Sequence, residues 1–349
     1  MTAIKLLIVD DSPLAARHLA SLFARDAAFV LLGIARNGVE GVAMAASLKP
    51  DVVCMDITMP DIDGFEATRR IMAASPVPIV IVSSTYEPRL VSMAFRALET
   101  GALAILEKPP AGNTPDSRQR QDDLLATFRA MAARRAVRGI SRALTPAPAG
   151  PAVSAAKSSG RRPELLLIGA STGGPQVIQT VLKGLPASFP LPILIVQHMS
   201  PGFSAGFAQW LSQTTPFDVR LAVEGESPRP GCAYVAPEKL HMEWRTDRCL
   251  HLLQGDLEHG VKPAVSRLFR SALAADASVV AVLLSGMGKD GAAELKALRD
   301  AGMLTIAQDQ ASSVVHGMPG TAIRLGGASM VLADTAIAPA LLRALGLPG

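Results

Sequence analysis

The sequence predicts an α/β protein made of two doubly wound parallel-sheet domains joined by a linker. Three observations predict it. Short apolar, partly β-branched runs alternate with amphipathic stretches, first near the amino terminus and again after Glu164. A stretch rich in Pro, Ala, Gly and Ser separates the two series. The length of 349 residues suits two domains of roughly 150 residues each.

In the first block, residues 1–125, the runs Ile4–Val9, Val52–Met55, Ile79–Val82 and Ala102–Leu106 read as buried strands. Leu14–Phe23, Gly38–Leu48 and Gly64–Met72 read as the helices between them. Strands alternating with helices at this spacing build βαβ units, and hence a parallel sheet covered on both faces. Residues 126–162 come next. Ala126–Arg142 has a helical and strongly basic pattern, and Thr145–Gly160 can bury almost nothing, so it reads as a tether.

The second block, residues 163–349, opens with the strand Leu165–Ile168 and continues with Ile193–Val196 and Val279–Leu284. Helices are predicted at Pro175–Lys183 and Gly291–Ala301. Val219–Met242 reads as short strands broken by Pro and Gly, forming a β-hairpin insertion.

The formal charge of +4 and pI near 9.1 would suit an acidic partner such as nucleic acid. The distribution argues against that. Met1–Phe128 holds 12 basic and 15 acidic residues, Arg129–Arg162 holds 8 basic and none acidic, and Pro163–Gly349 holds 14 and 15. The excess belongs to the helix end and tether, with Arg134, Arg135, Arg138 and Arg142, so no nucleic-acid-binding domain is expected. The three cysteines, Cys54, Cys232 and Cys249, have no CxxC spacing, which excludes a disulfide framework and a Cys-based zinc site. No apolar run reaches the ~18 residues of a membrane span, and the amino terminus runs directly into a strand with charges close behind. A cytoplasmic protein without membrane insertion is expected.

Chemistry-bearing residues collect at strand ends. Asp10 and Asp11 follow the first strand, Asp56 the third, Ser83 ends the fourth, and Lys108-Pro109 follows the fifth. In a parallel sheet these positions share the carboxyl edge, where doubly wound folds build their sites. Three crowded carboxylates repel unless a cation sits between them, and oxygen ligands with room for water suit Mg²⁺. A lysine and a hydroxyl beside them suit a phosphoryl group carried by one carboxylate.

These residues stand in Val9-Asp-Asp-Ser, Met55-Asp-Ile-Thr-Met-Pro-Asp-Ile-Asp-Gly64, Val82-Ser-Ser and Glu107-Lys-Pro. In them the first block resembles a response-regulator receiver domain, which is flavodoxin-like. The resemblance implies that Asp56 accepts a phosphoryl group from a histidine kinase. It also implies that Asp10, Asp11, Asp56 and the Thr58 carbonyl hold Mg²⁺, and that Ser83 and Lys108 contact the phosphoryl oxygens. Receivers usually carry an aromatic residue where Ile105 stands, so an aromatic switch is not carried over.

The second block has its own constellation. Leu165-Leu-Leu-Ile-Gly-Ala-Ser171-Thr-Gly-Gly-Pro175 reads as a strand, a tight turn and a helix start. Such a turn exposes a serine and aims backbone N–H groups at an anion. His198 ends the next strand, and Asp290 lies in Leu284-Ser-Gly-Met-Gly-Lys-Asp-Gly291. A serine needs a base to take its proton, and a carboxylate fixes the histidine tautomer. Backbone N–H groups near Thr172 and Met287 suit an oxyanion. On spacing alone a phosphate-binding turn is the alternative, although the turn is not GxGxxG and His198 stands where an acidic residue would follow.

Four segments carry a second resemblance. They are Ile168-Gly-Ala-Ser-Thr-Gly-Gly-Pro, Val196-Gln-His-Met, Leu284-Ser-Gly-Met-Gly-Lys-Asp-Gly-Ala and Ala307-Gln-Asp-Gln-Ala-Ser-Ser-Val-Val-His-Gly-Met-Pro. In these the Rossmann-like second block resembles the catalytic domain of chemotaxis protein-glutamate methylesterases, the CheB family. The resemblance implies Ser171 as nucleophile, His198 as base, Asp290 as its orienting carboxylate, and Met287 as oxyanion donor through its backbone. The order of receiver, linker and catalytic block is that family's order. Lys289, His316 and Gln310 depart from the usual Asn, Phe and Glu, and Lys262-Pro-Ala-Val departs from Arg-Pro-Ser-Val. His18, His241, His251 and His259 lack ligand spacing and read as surface or structural residues.

The expected activity is phosphorylation-activated hydrolysis of glutamate methyl esters on the cytoplasmic helices of chemoreceptors. Methanol is released, and receptor glutamine deamidation accompanies it. No cofactor is expected in the esterase site. Two rivals are an esterase for a non-receptor substrate and a paralogue serving a non-motility signalling array. A transcription factor would need a helix-turn-helix after the tether, where the sequence instead predicts an α/β block.

Overall fold

The structure is a computed structural model that describes residues 3–83, 95, 104–112, 114–141 and 161–348. The chain divides into two compact units, residues 1–147 and 148–349. The tether Thr145–Gly160 lies outside the described residues, as do Arg142 and the side chains of Arg134, Arg135 and Arg138.

The first unit runs β1 (Ile4–Val9), α1 (Pro13–Ala24), β2 (Phe29–Ala35), α2 (Gly38–Leu48), β3 (Val52–Met55), α3 (Gly64–Ala74), β4 (Ile79–Ser83), β5 (Ala104–Glu107) and α4 (Pro115–Ser141). Its five strands are parallel in the order β2-β1-β3-β4-β5. The order reverses between β1 and β3, and a crevice opens there at the strand carboxyl ends. Helix starts follow their caps: Ser12, Asn37 and Asp63 each accept N–H groups from the first turn of α1, α2 and α3.

Two elements differ from the sequence expectation. The sequence places no strand between Val9 and Val52, where β2 lies, because the adjacent apolar residues Val30 and Leu31 are both exposed and blur the alternation. The carboxyl-terminal helix starts at Pro115, upstream of the expected Ala126, and runs through residue 125 without a break. Leu124, Phe128 and Met131 of α4 are buried, and Phe128 meets Phe23 edge-to-face at 4.9 Å. Burying a side chain of this size contributes about 1.5–3 kcal/mol. The first turns hold the charged Asp116, Arg118, Arg120, Asp122 and Asp123, which hid the start of the helix.

The second unit runs β6 (Leu165–Ala170), α5 (Gly174–Lys183), β7 (Ile193–Gln197), α6 (Ser204–Thr214), β8 (Asp218–Leu221), β9 (Cys232–Val235), β10 (His241–Trp244), β11 (Leu250–Leu253), α7 (Val265–Ala274), β12 (Val279–Leu283), α8 (Ala292–Asp300), β13 (Leu304–Gln308), α9 (Met318–Arg324), β14 (Met330–Leu332) and α10 (Asp334–Ala344). Seven strands form one parallel sheet, β14-β13-β12-β6-β7-β9-β8. β6, β7 and β12 are buried along their whole length, as expected where helices cover both faces. The order reverses between β6 and β12, so the loops after these strands meet at the second crevice.

The expected hairpin insertion at Val219–Met242 is corrected. β8 and β9 pair in parallel and extend the main sheet, whereas the antiparallel pair is β10 with β11, further along the chain. The Pro and Gly residues between β8 and β9 serve a crossover, which short-range pattern cannot tell from a hairpin turn. Among the described residues no helix is long and apolar enough to cross a membrane.

Candidate active site and acidic pocket

At the first crevice, Asp10 follows β1, and Asp56 follows β3. Both are buried, while Asp11 is exposed. Their carboxylates each offer an oxygen within 4.8 Å of the others. Lys108, after β5, places Nζ 2.7 Å from Asp56 Oδ2 and 2.8 Å from Asp10 Oδ2. The other Asp56 oxygen accepts the Ile57 N–H at 2.8 Å, and Asp10 Oδ1 accepts that of Ser12 at 3.0 Å. Burial pushes the Asp56 carboxyl above its ordinary range, Lys108 opposes this, and Asp10 adds repulsion. A hard cation relieves that repulsion, and three carboxylates of oxygen-only chemistry fit Mg²⁺.

Ser83 is buried at the end of β4, and its carbonyl accepts the Lys108 N–H at 2.9 Å. Thr58 lies two residues past Asp56 and is exposed. Gly64 is small for a visible reason: a Cβ there would lie 2.0 Å from the Asp56 carbonyl oxygen.

At the second crevice, the nucleophile candidate Ser171 leaves β6 half-buried, and its N–H donates to the Ser285 carbonyl at 2.9 Å. The turn needs glycine. Gly173 has φ +79°, and a Cβ there would lie 2.3 Å from Val314 Cβ. His198 follows β7, and its N–H donates to the Ala170 carbonyl at 3.0 Å, which ties the two strand ends together.

His198 Nε2 lies 2.9 Å from Asp290 Oδ2. The same carboxylate accepts the N–H of Val265 at 2.6 Å and that of Ser266 at 2.9 Å. Asp290 therefore caps α7 from outside, since the N-cap Ala264 has no side chain to do so. Burial would push its carboxyl up, but the bonds from His198 and Ser266 outweigh burial and hold it below the usual range. The dipole of α7 favours the same charged form.

The two expected oxyanion donors are Thr172, after Ser171, and Met287, after Gly286. Among the described residues neither N–H has an acceptor, so both are available to a developing anion. Gly286 lets the loop approach: a Cβ there would lie 2.7 Å from Ser171 Cβ.

Of the departures, Lys289 and Gln310 are exposed. Lys262 Nζ donates to the Gly255 carbonyl. His316 Nε2 stands 3.3 Å from the Gln308 carbonyl oxygen, and burial pushes its imidazole down.

Sequence reasoning missed the residues that hold this loop cluster. The Ser285 hydroxyl donates to the Thr172 carbonyl at 2.7 Å and accepts the Val315 N–H at 3.0 Å, while its own N–H goes to Gln308 Oε1 at 2.7 Å. Ser266 accepts the Gly291 N–H at 2.9 Å and donates to Glu294 at 2.7 Å. His241, expected as a surface or structural residue, is fully buried, with Nε2 on the Asp256 carbonyl and Nδ1 accepting the Ala264 N–H. The available signal was position: Gln197 and Gln308 are each the last residue of a buried strand.

The family model for the response regulator receiver domain matches residues 6–114, and that for the CheB methylesterase matches residues 166–341. A protein-glutamate methylesterase/protein-glutamine glutaminase of Syntrophus aciditrophicus is 46% identical over 348 residues, covering 98% of this chain and 99% of that protein. One from Methanospirillum hungatei is 43% identical over 337 residues, 96% of each chain. Among solved structures, the catalytic domain of the Thermotoga maritima CheB methylesterase is 34% identical with TM-score 0.50. It covers 53% of this chain and 100% of its own.

Proposed function

This chain belongs to the CheB methylesterase family, and from that premise we propose that it hydrolyses glutamate methyl esters on the cytoplasmic helices of chemoreceptors. Phosphorylation at Asp56 by a histidine kinase activates it, and it also deamidates receptor glutamines. The observation that carries the reading is the His198–Asp290 pair at 2.9 Å, its carboxylate buried and its imidazole half-buried. It lies one strand from the half-buried Ser171, and among the described residues the N–H groups of Thr172 and Met287 have no acceptor.

In the forward step the Ser171 hydroxyl attacks the ester carbonyl while His198 takes its proton. Asp290 occupies Nε2, so Nδ1 is the nitrogen that serves as base. The tetrahedral oxyanion is received by the N–H groups of Thr172 and Met287. One such donor is worth about 3–4 kcal/mol in studied proteases. The protonated His198 then gives its proton to the leaving methoxide, and methanol departs. Water, deprotonated by the same nitrogen, attacks the acyl-enzyme and releases glutamate with Ser171 restored. With a glutamine side chain the leaving group is ammonia.

In the receiver, Asp10, Asp11 and Asp56 would hold Mg²⁺, with the Thr58 carbonyl as a further ligand. Bound there, it neutralises charge at the carboxylate that becomes phosphorylated. Asp56 is the phosphoryl acceptor. Lys108 and Ser83 receive the phosphoryl oxygens, so Lys108 exchanges a carboxylate partner for a phosphoryl one.

The test is methanol release from a methyl-esterified chemoreceptor by the purified chain and by Ser171→Ala. Release by the wild type and none by the variant is expected. An inactive wild type would remove the esterase reading, and equal rates would remove Ser171 as nucleophile.

A further inference from the structure

Gln197 is the last residue of β7 and is 3% exposed. Its side chain does not reach solvent and has no place in the chemistry above. We propose that Gln197 is the positioning residue that holds the nucleophile and the base at a fixed separation. The proposal rests on the reading of Ser171 and His198 in those roles.

The carboxamide nitrogen of Gln197 donates to the Ser171 carbonyl at 2.8 Å and to the His198 carbonyl at 2.7 Å. Both of its hydrogens are thus spent, one on each catalytic residue's main chain. Ser171 is held at a second point on that carbonyl by the Gly174 N–H at 2.8 Å. His198 is held at the opposite end by its own N–H on the Ala170 carbonyl, at 3.0 Å. One amide therefore spans the gap between two loops that leave neighbouring strands.

The other end of the amide explains why it cannot turn over. Gln197 Oε1 is buried and finds no hydrogen-bond donor. It lies against the first residue of α5, where a Cβ on Gly174 would come within 2.1 Å of it. Gly174 is small because the amide occupies that space. The oxygen faces the positive end of α5, whose N-cap Gly173 supplies no side-chain acceptor. A reversed amide would set its oxygen against two carbonyl oxygens. The site thus requires a side chain with two donor hydrogens and this length, which glutamine supplies and glutamate or methionine does not.

The consequence falls on orientation. Loss of the bridge takes one donor from the Ser171 carbonyl, leaving it only the Gly174 N–H, and removes the amide donor from the His198 carbonyl; misplacement of about 1 Å can cost ~10²-fold in rate. The experiment measures methanol release from methyl-esterified receptor by the full chain. The wild type, Ser171→Ala, Gln197→Met and Gln197→Glu are compared over a range of substrate concentration and pH. Thermal unfolding is recorded for each. Gln197→Met is expected to lower kcat by about 10²-fold with KM within about twofold. Gln197→Glu is expected to be impaired most at alkaline pH. Its rate relative to wild type should rise as pH falls, because a buried carboxyl that gains a proton regains one donor. A purely structural role would lower thermal stability without the selective loss of kcat in a variant that stays folded.

If Gln197→Met does not fold, the pH course of Gln197→Glu decides alone. A flat ratio, or a folded variant with wild-type kcat throughout, overturns the proposal. An inactive wild type would instead defeat the esterase reading and take this proposal with it, an outcome distinct from active enzymes that match.

Discussion

Asp290 meets His198 through Nε2 at 2.9 Å, while the same carboxylate accepts the N–H groups of Val265 and Ser266. One side chain thus pairs with the imidazole proposed as base and caps a helix, and these two duties can be separated by substitution. Asp290→Asn keeps the shape but loses the charge and one acceptor atom. A drop in kcat of about 10³–10⁴-fold is expected, since the neutral amide no longer fixes the imidazole tautomer. KM should change little.

The same residue sets a pH dependence of stability. The folded state holds the Asp290 carboxyl below its ordinary range. A depressed carboxyl contributes stability that is fully present above the unfolded value of about 3.9. That stability is lost as pH falls through the folded value. Wild type and Asp290→Asn should therefore differ in unfolding free energy at neutral pH and converge in strong acid, as followed by denaturant titration at several pH values. A constant difference down to the lowest pH would contradict the assignment.

Gly286→Ala tests the close approach of two loops. The added methyl would lie 2.4 Å from Met318 Sδ and 2.7 Å from Ser171 Cβ. Overpacking of this kind costs about 1–3 kcal/mol. Thermal unfolding should show that loss, and methanol release should fall with it because the displaced atom belongs to the proposed nucleophile. A fully stable, fully active variant would show that the loop has room to spare.

Ser266→Ala removes a hydroxyl that accepts from Gly291 and donates to Glu294. It leaves the buried Gly291 N–H unpaired, at a cost of about 1–3 kcal/mol. Ser266→Thr keeps the hydroxyl and should recover most of that stability in the same denaturant titration.

In the receiver, Lys108 bridges Asp56 and Asp10 at 2.7 and 2.8 Å. Stimulation of methanol release by an acyl phosphate donor should require Mg²⁺ and vanish when the metal is chelated. Asp56→Asn should abolish it outright. Lys108→Met should uncouple the two units, so that the protein is phosphorylated, as read by gel shift of the labelled chain, without full stimulation. Stimulation that survives chelation would contradict the acidic pocket as its origin.

Much of this was legible in the sequence because parallel sheets announce themselves twice. Runs such as Leu165–Ala170 are apolar throughout, and the residues that follow them are small or chemical. Asp10, Asp56, Ser171 and His198 could be placed at strand ends on that basis alone. What stayed hidden depends on contacts between distant segments. Ser285, Gln308 and Gln197 are polar residues beside apolar strands, and their bonds run to loops 23, 26 and 30 positions away. The pairing of β8 with β9 stayed hidden for the same reason, because parallel or antiparallel choice is made by the crossover and not by the strands. The exposed apolar residues of β2 and the charged first turns of α4 blurred the periods that would have placed them.

The central claim is that Asp56 governs an esterase built on Ser171. The most direct measurement is the initial rate of methanol release from methyl-esterified receptor, with and without acyl phosphate and Mg²⁺. It is made in parallel for wild type, Asp56→Asn and Ser171→Ala. The account predicts stimulation of the wild type, an unstimulated Asp56→Asn, and no release from Ser171→Ala. Release by Ser171→Ala at the wild-type rate, or equal stimulation of Asp56→Asn, would contradict it.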